Sequence, residues 1–190
     1  LDAAIKSTAA PGEGRKASEI MIPFEKILER IDIDKAGSRP SELPLTFLKT
    51  KLTGVPSATP PIGREAGSMT GGGAVTRLIF VSSGVFRYIV HSSIVDAFLV
   101  KRLLASDGQV QPLSADKLTF EDLRSDIDMH RQISRLVVFV GASVALKDVR
   151  VALERVDGAQ DVIVTATGNS SEAMLGWITN RDLLQAINGS

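Results

Sequence analysis

A chain of 190 residues with 44% apolar side chains is long enough for one substantial core or two small linked ones. Its 22 basic and 22 acidic residues cancel, which leaves no excess positive field to hold nucleic acid or an anionic membrane surface. It has no cysteine, which excludes a disulfide framework, a zinc ribbon and a thiol nucleophile and is compatible with the cytoplasm.

Residues 1–16 (LDAAIKSTAAPGEGRK) are small, polar and glycine-rich and read as a poorly ordered arm with no targeting pattern. From Ala17, ASEIMIPFEKILERIDID gives a short apolar stretch and then an alternation through Ile31 and Ile33, the pattern of a half-buried strand. Leu45, Leu48 and Leu52 are spaced three and four apart and predict a short amphipathic helix. The stretch from Val55 to Gly73 holds three prolines and five glycines and reads as a long mobile loop. Two β-rich runs in VTRLIFVSSGVFRYIVH, parted by Ser82-Ser83-Gly84, predict a hairpin. A helix from about Ser93 to Leu104 follows.

ASDGQVQPLSAD reads as a linker, and LTFEDLRSDIDMHRQISR as a helix capped by Thr119 with Asp122 as its capping-box partner. LVVFVG is then a strand, too short at Leu136–Leu146 for the roughly 20 residues that cross a bilayer. ALKDVRVALERVDG is a helix with Leu146, Val149, Leu153 and Val156 on one face and Gly158 as its stop. DVIVT is a strand, TGNSSE a turn, AMLGWIT a strand and NRDLLQAI a helix.

The order strand, helix, strand, strand, helix thus occurs twice, which predicts a tandem repeat whose copies pack about a pseudo-twofold axis. Gly84 matches Gly168 and Leu78 matches Val162 at one common offset, while Asp96 matches Asp182 at an offset two larger, the extra positions lying in the second hairpin. The expected organisation is an arm at 1–16, a first repeat at 17–104 with an insert at about 55–73, a linker with a helix at 105–135 and a second repeat at 136–190.

Each copy ends in a strand-to-helix corner with a hydroxyl three residues before an aspartate, Ser93 and Asp96 in the first and Thr179 and Asp182 in the second. Such a pair is a capping box. The same atoms suit a nucleoside phosphate: unpaired helix N–H groups and a hydroxyl for the phosphate, and a carboxylate for a ribose diol.

With these residues the chain resembles a tandem pair of cystathionine β-synthase (CBS) domains, a Bateman module. FVGASVALKDVRVALERVDGAQDVIVTATGNSSEAMLGWITNRDLL resembles the family over the whole second copy, including its terminal G-h-h-T-x-x-D pattern (h apolar). The first copy resembles it in pieces, in ASEIMIP, LPLTFLKTKL and RLIFVSSGVFRYIVHSSIVDAFL, and departs from it in the 55–73 insert and in His91, where the second copy has Trp177.

The resemblance implies an α/β fold of two β-α-β-β-α repeats in a disc-like homodimer. It also implies a regulatory module that binds AMP, ADP, ATP or S-adenosylmethionine in clefts between the repeats. Thr179 and Asp182 would then hold phosphate and ribose at one cleft, and Ser93 and Asp96 at the other. The adenine would rest on Ile22 and Val140, its edge meeting the backbone near Ala159 and Gln160 or near Val75 and Thr76. Arg181 is either a bidentate phosphate partner or a solvated helix-start residue. Ile94 and Val95 stand in the matching places of the first copy, so the second site is favoured.

Two isolated histidines, His91 and His130, do not make a metal centre. GSMTGGG lacks the lysine and hydroxyl ending of a phosphate loop, and neither G-x-S-x-G nor a histidine-activated carboxylate pair is present. Trp177, Phe98 and Phe86 read as core or repeat-interface residues. The expectation is therefore a binding protein, not an enzyme, with no catalytic residue, metal or required cofactor. Its partners would be an adenosine-containing ligand, a second copy of the chain, and an effector protein or fused domain, without nucleic acid or membrane. The alternatives are a ligand-free dimerisation or docking module, and an enzyme that uses the Pro/Gly-rich loop as a lid.

Overall fold

The computed structural model describes residues 12, 14–53, 76–105 and 117–188. The expected insert at 55–73 and Val75 lie outside them, as does most of the expected arm. The described residues fall into two compact units, one drawn from 1–28, 84–86 and 135–190 and the other from 29–83 and 87–134.

In the first of these units, the β-branched runs expected to be strands form β5 (Val137–Gly141), β6 (Asp161–Thr165) and β7 (Gly176–Thr179). Strands β5 and β6 are parallel, with Val138 opposite Val162. Helix α6 (Leu146–Glu154) is the crossover that a parallel pair needs. Strand β7 returns antiparallel to β6, with Ile163 opposite Trp177. It is shorter than AMLGWIT suggests, because pairing with β6 begins only at Gly176. Leu146, Val149 and Leu153 of α6 are buried against Val138, Val140, Val162, Val164 and Ile178, and α7 (Asn180–Asn188) adds Leu183 and Ile187. Val156, expected on the same face, falls beyond the end of α6 and is exposed.

The segment ASEIMIP, read from sequence as the start of the first copy, lies in this same unit. Ala17–Ile20 is a single helical turn, α1, and Ile22–Pro23 is a two-residue strand, β1, antiparallel to β7. Lys16 bridges to Ala145, with Ala17 N–H donating to Val144 at 2.9 Å and Leu146 N–H to Arg15 at 2.8 Å. The other unit repeats the device with a different stretch of chain. Thr119 bridges to Pro44, with Leu45 N–H donating to Leu118 and Phe120 N–H to Leu43, both at 2.8 Å. In each case an incoming segment docks on the residues that open the unit's first long helix, because a short apolar stretch cannot cover its own side chains.

In that second unit, β2 (Arg30–Asp32) is parallel to β3 (Arg77–Ser82), and the sheet order is β2-β3-β4 with β4 at Val85–His91. Helix α2 (Leu45–Thr53) buries Leu45, Leu48 and Leu52, as their spacing predicts, and lies against α3 (Ser92–Ala105). Phe80 stacks on Phe120 with centroids 4.4 Å apart, and Tyr88 meets Phe120 edge-on at 5.8 Å. The helix expected over 119–135 is two helices, α4 (Phe120–Ser125) and α5 (Ile127–Arg135), broken where Asp126 takes extended backbone. The Asp126 carboxylate accepts the N–H groups of Asp128 and Met129, a local bond that competes with helix continuation.

Candidate functional site

The β7–α7 corner joins Thr179 and Asp182 directly. Asp182 Oδ2 accepts Thr179 Oγ1–H at 2.7 Å and Thr179 N–H at 3.1 Å, while Asp182 N–H donates to Thr179 Oγ1 at 3.1 Å. This is a complete capping box in which Asp182 Oδ1 takes no part. Both residues are half-buried, and Arg181 between them is exposed, so a guanidinium stands beside the positive end of a nine-residue helix.

Gln160 belongs to the same end of the sheet. Its carbonyl accepts Asn180 N–H at 3.0 Å and its N–H donates to Leu136 at 2.9 Å. Half-buried Ala159 precedes it, its N–H donating to the Val156 carbonyl. Ile22 and Val140 lie further along the strands. Ile22 stands opposite Trp177, and Val140 stands opposite Val164, which itself faces Gly176. The Val140 side chain is inside the apolar core, so the structure brings Thr179, Arg181, Asp182, Ala159 and Gln160 together but does not place Val140 among them.

Asp161, which the sequence reading did not single out, stands opposite Thr179 in the β6–β7 register. It is fully buried, and its Oδ1 accepts Trp177 Nε1–H at 2.9 Å. The signal in the sequence was a lone aspartate opening the apolar run DVIVT, where a strand core has no use for a charge.

The first corner is built in a different register. Asn180 N–H donates to Gln160 in one unit, and Ser92 N–H donates to Thr76 in the other, both at 3.0 Å. Those equivalent bonds match Gln160 with Thr76 and Asn180 with Ser92, and the second of these offsets is four larger than the first. The second hairpin is therefore longer by four positions, not by the two that aligning the aspartates implies. His91 consequently takes the place of Thr179, and Ile94 that of Asp182. Ser93 and Asp96 are exposed positions within α3, no hydrogen bond joins them, and Asp96 Oδ1 pairs with Lys49 Nζ at 3.0 Å. His91 is buried and its Nε2 accepts Arg77 Nε–H at 3.2 Å. Thr76 is exposed, and Val75 lies outside the described residues.

Phe98 is fully buried in its unit, Trp177 is buried, and Phe86 packs edge-on to Phe139 at 5.6 Å. Among the described residues no group of three or more His, Asp or Glu is placed to hold a metal ion, and no helix is long and apolar enough to cross a membrane.

No protein-family model and no curated protein matches the chain. Solved structures do. The CBS domain of a bacterial CNNM/CorC family Mg2+ transporter matches 94% of this chain and 78% of its own, with 13% identity and a TM-score of 0.50. A CBS domain protein from Streptococcus pneumoniae TIGR4 covers 90% of this chain and 80% of its own at 15% identity and a TM-score of 0.48. CbpB in complex with c-di-AMP covers 93% and 87% at 12% identity and a TM-score of 0.49. The chain has the α/β fold of a CBS domain pair.

Proposed function

We propose that the chain is a regulatory binding module, not an enzyme, that takes an adenine nucleotide at the amino-terminal end of α7. The observation that carries this reading is the Thr179–Asp182 pair, 2.7 Å apart, with Arg181 exposed between them. Arg181 and the first N–H groups of α7 suit a phosphate. Asp182 Oδ1, outside the capping box, accepts from a ribose hydroxyl without dismantling the cap. The Ala159 carbonyl lies at the same end of the sheet for the edge of the base. A fold shared with the CBS domain of a transporter supports a module that serves a partner or fused protein, and a cytoplasmic nucleotide pool is its natural ligand source.

The experiment is a thermal-shift screen of the chain against AMP, ADP, ATP, S-adenosylmethionine, NAD and c-di-AMP, since a ligand that binds only the folded state raises apparent stability by mass action. A saturable shift that is lost in Asp182→Ala and reduced in Arg181→Ala supports the reading. Arg181→Ala leaves the capping box intact and so separates ligand contact from helix stability. A shift equal in all three proteins would remove the site from this corner.

A second reading, a ligand-free dimerisation or docking module, is favoured by the fact that the Thr179–Asp182 box already satisfies itself, and by Val100 and Leu104 on α3, which are 54% and 69% exposed. It expects no shift with any of the six ligands and a homodimer that persists on dilution.

A further inference from the structure

Gly12 and residues 14–24 together grip both ends of the element that carries Thr179 and Asp182. At one end Ile22 pairs with Trp177 and Pro23 with Gly176, and Phe24 N–H donates to the Leu175 carbonyl at 2.9 Å. At the other, Gly12 N–H donates to the carbonyl of Ile187, in the last turn of α7, at 3.3 Å. Between them Ala17 is fully buried in one apolar cluster with Leu183 and Ile187 of α7, and Ser18 N–H donates to Ala142 at 3.1 Å.

Two glycines make this approach possible. A Cβ on Gly176 would stand 2.7 Å from the Ile22 carbonyl oxygen and equally close to Met21 Sδ. A Cβ on Gly12 would run into the Ala186 carbonyl oxygen. Any side chain at either position forces the backbone to shift at that contact, so both surfaces are shaped for this occupant.

Its hold is nevertheless modest. It contributes a two-residue strand, a single helical turn, the bridge from Lys16 to Ala145 and one fully buried side chain, which is only a methyl group, with Ile20 and Met21 partly buried beside it. Segments with so few buried contacts open at far lower free energy than the core they lie on. When this one leaves, β7 changes from an interior strand to a sheet edge at Trp177, two residues before Thr179.

We infer that Gly12 and residues 14–24 form a latch whose docking on β7 and α7 is linked to nucleotide occupancy of the Thr179–Asp182 corner; this rests on the function proposed above. A nucleotide that requires an ordered corner favours the docked latch, and by thermodynamic reciprocity the docked latch raises nucleotide affinity by the same factor. The latch is then the part of the module through which binding is felt elsewhere in the chain.

The test is amide hydrogen exchange of the full chain with and without a saturating concentration of whichever of the six screened ligands gives the largest thermal shift. The latch predicts that peptides spanning 15–24 exchange about fivefold or more slowly with nucleotide, a typical coupling. Ala17→Asp, which puts a carboxylate into the apolar cluster and releases the latch, then weakens nucleotide binding by that same factor. Gly12→Val, which disturbs only the far end, serves where Ala17→Asp fails to fold. If nucleotide shifts the melting temperature of the wild-type chain but leaves exchange at 15–24 unchanged, the latch is wrong while the proposed function stands. If none of the six ligands of the thermal-shift screen binds the wild-type chain, the proposed function fails and the latch falls with it.

Discussion

Trp177 donates its indole N–H to Asp161 Oδ1 at 2.9 Å, and both residues are buried. A buried acid and the chain's one tryptophan thus meet across β6 and β7, beside the Thr179 corner. A polar pair inside an apolar sheet is stable only while each group keeps its partner.

Trp177→Phe removes the indole donor and is expected to lower unfolding stability by about 1 kcal/mol, the usual net worth of one hydrogen bond. Asp161→Asn keeps an acceptor oxygen and should lose less. Urea denaturation of the two variants checks this, and a Trp177→Phe loss below about 0.5 kcal/mol would mean that the pair contributes little.

Thr119 and Thr179 each accept the N–H of an aspartate three residues on. Replacing either by alanine should cost about 1 kcal/mol, the usual worth of an N-cap. A double-mutant cycle of Thr179→Ala with Asp182→Ala should show strong non-additivity, since Asp182 Oδ2 serves both the hydroxyl and the backbone of Thr179. Strictly additive losses would contradict the reciprocal box.

Nucleotide binding should distinguish the two corners. Ser93→Ala and Asp96→Ala are expected to leave affinity within about twofold, whereas Asp182→Ala lowers it about tenfold or more, one charge-assisted hydrogen bond being worth that much. Titration calorimetry with the nucleotide that gives the largest thermal shift decides it. Equal losses at both corners would show that the register offset does not govern function.

Asp126 accepts from Lys101 Nζ at 2.9 Å. This bond, followed by the N–H groups of Met129 and Asp128, holds its carboxyl below the ordinary 3.8 against the opposing effect of burial. A depressed folded-state pKa gives stability that is present above the unfolded value and is lost as pH falls through the folded value. The stabilisation should therefore be complete at neutral pH and disappear below about pH 4. Urea midpoints between pH 6 and 2 should fall less steeply for Asp126→Asn than for the wild type; parallel curves would remove Asp126 from the acid response.

Much of this architecture is legible in local pattern. The three leucines of α2, the inward face of α6 and the capping box of α4 follow from spacing alone, because each is decided within one or two helical turns. The break at Asp126 was not legible, since the apolar period runs on while one side chain diverts the backbone. The matching of Ser93 and Asp96 with Thr179 and Asp182 was misleading for a similar reason. A four-residue motif aligns by letters, whereas the helix start is set by a backbone hydrogen bond across a whole hairpin. That bond runs from Ser92 to Thr76, just before β3, in one unit and from Asn180 to Gln160, just before β6, in the other, and the two hairpins differ in length.

The sequence by itself determined the longer strands and the helices α2, α3, α6 and α7, that their order repeats, and that Thr179 and Asp182 meet at a helix start, because periodicity and capping act over a few residues. Only the tertiary structure decided that Ile22 and Pro23 pair with β7, that Asp161 is buried against Trp177, and that the two corners differ in register. Those outcomes depend on which distant surface a short apolar segment can cover and which distant carbonyl a backbone N–H can reach, and neither is written in the neighbouring residues.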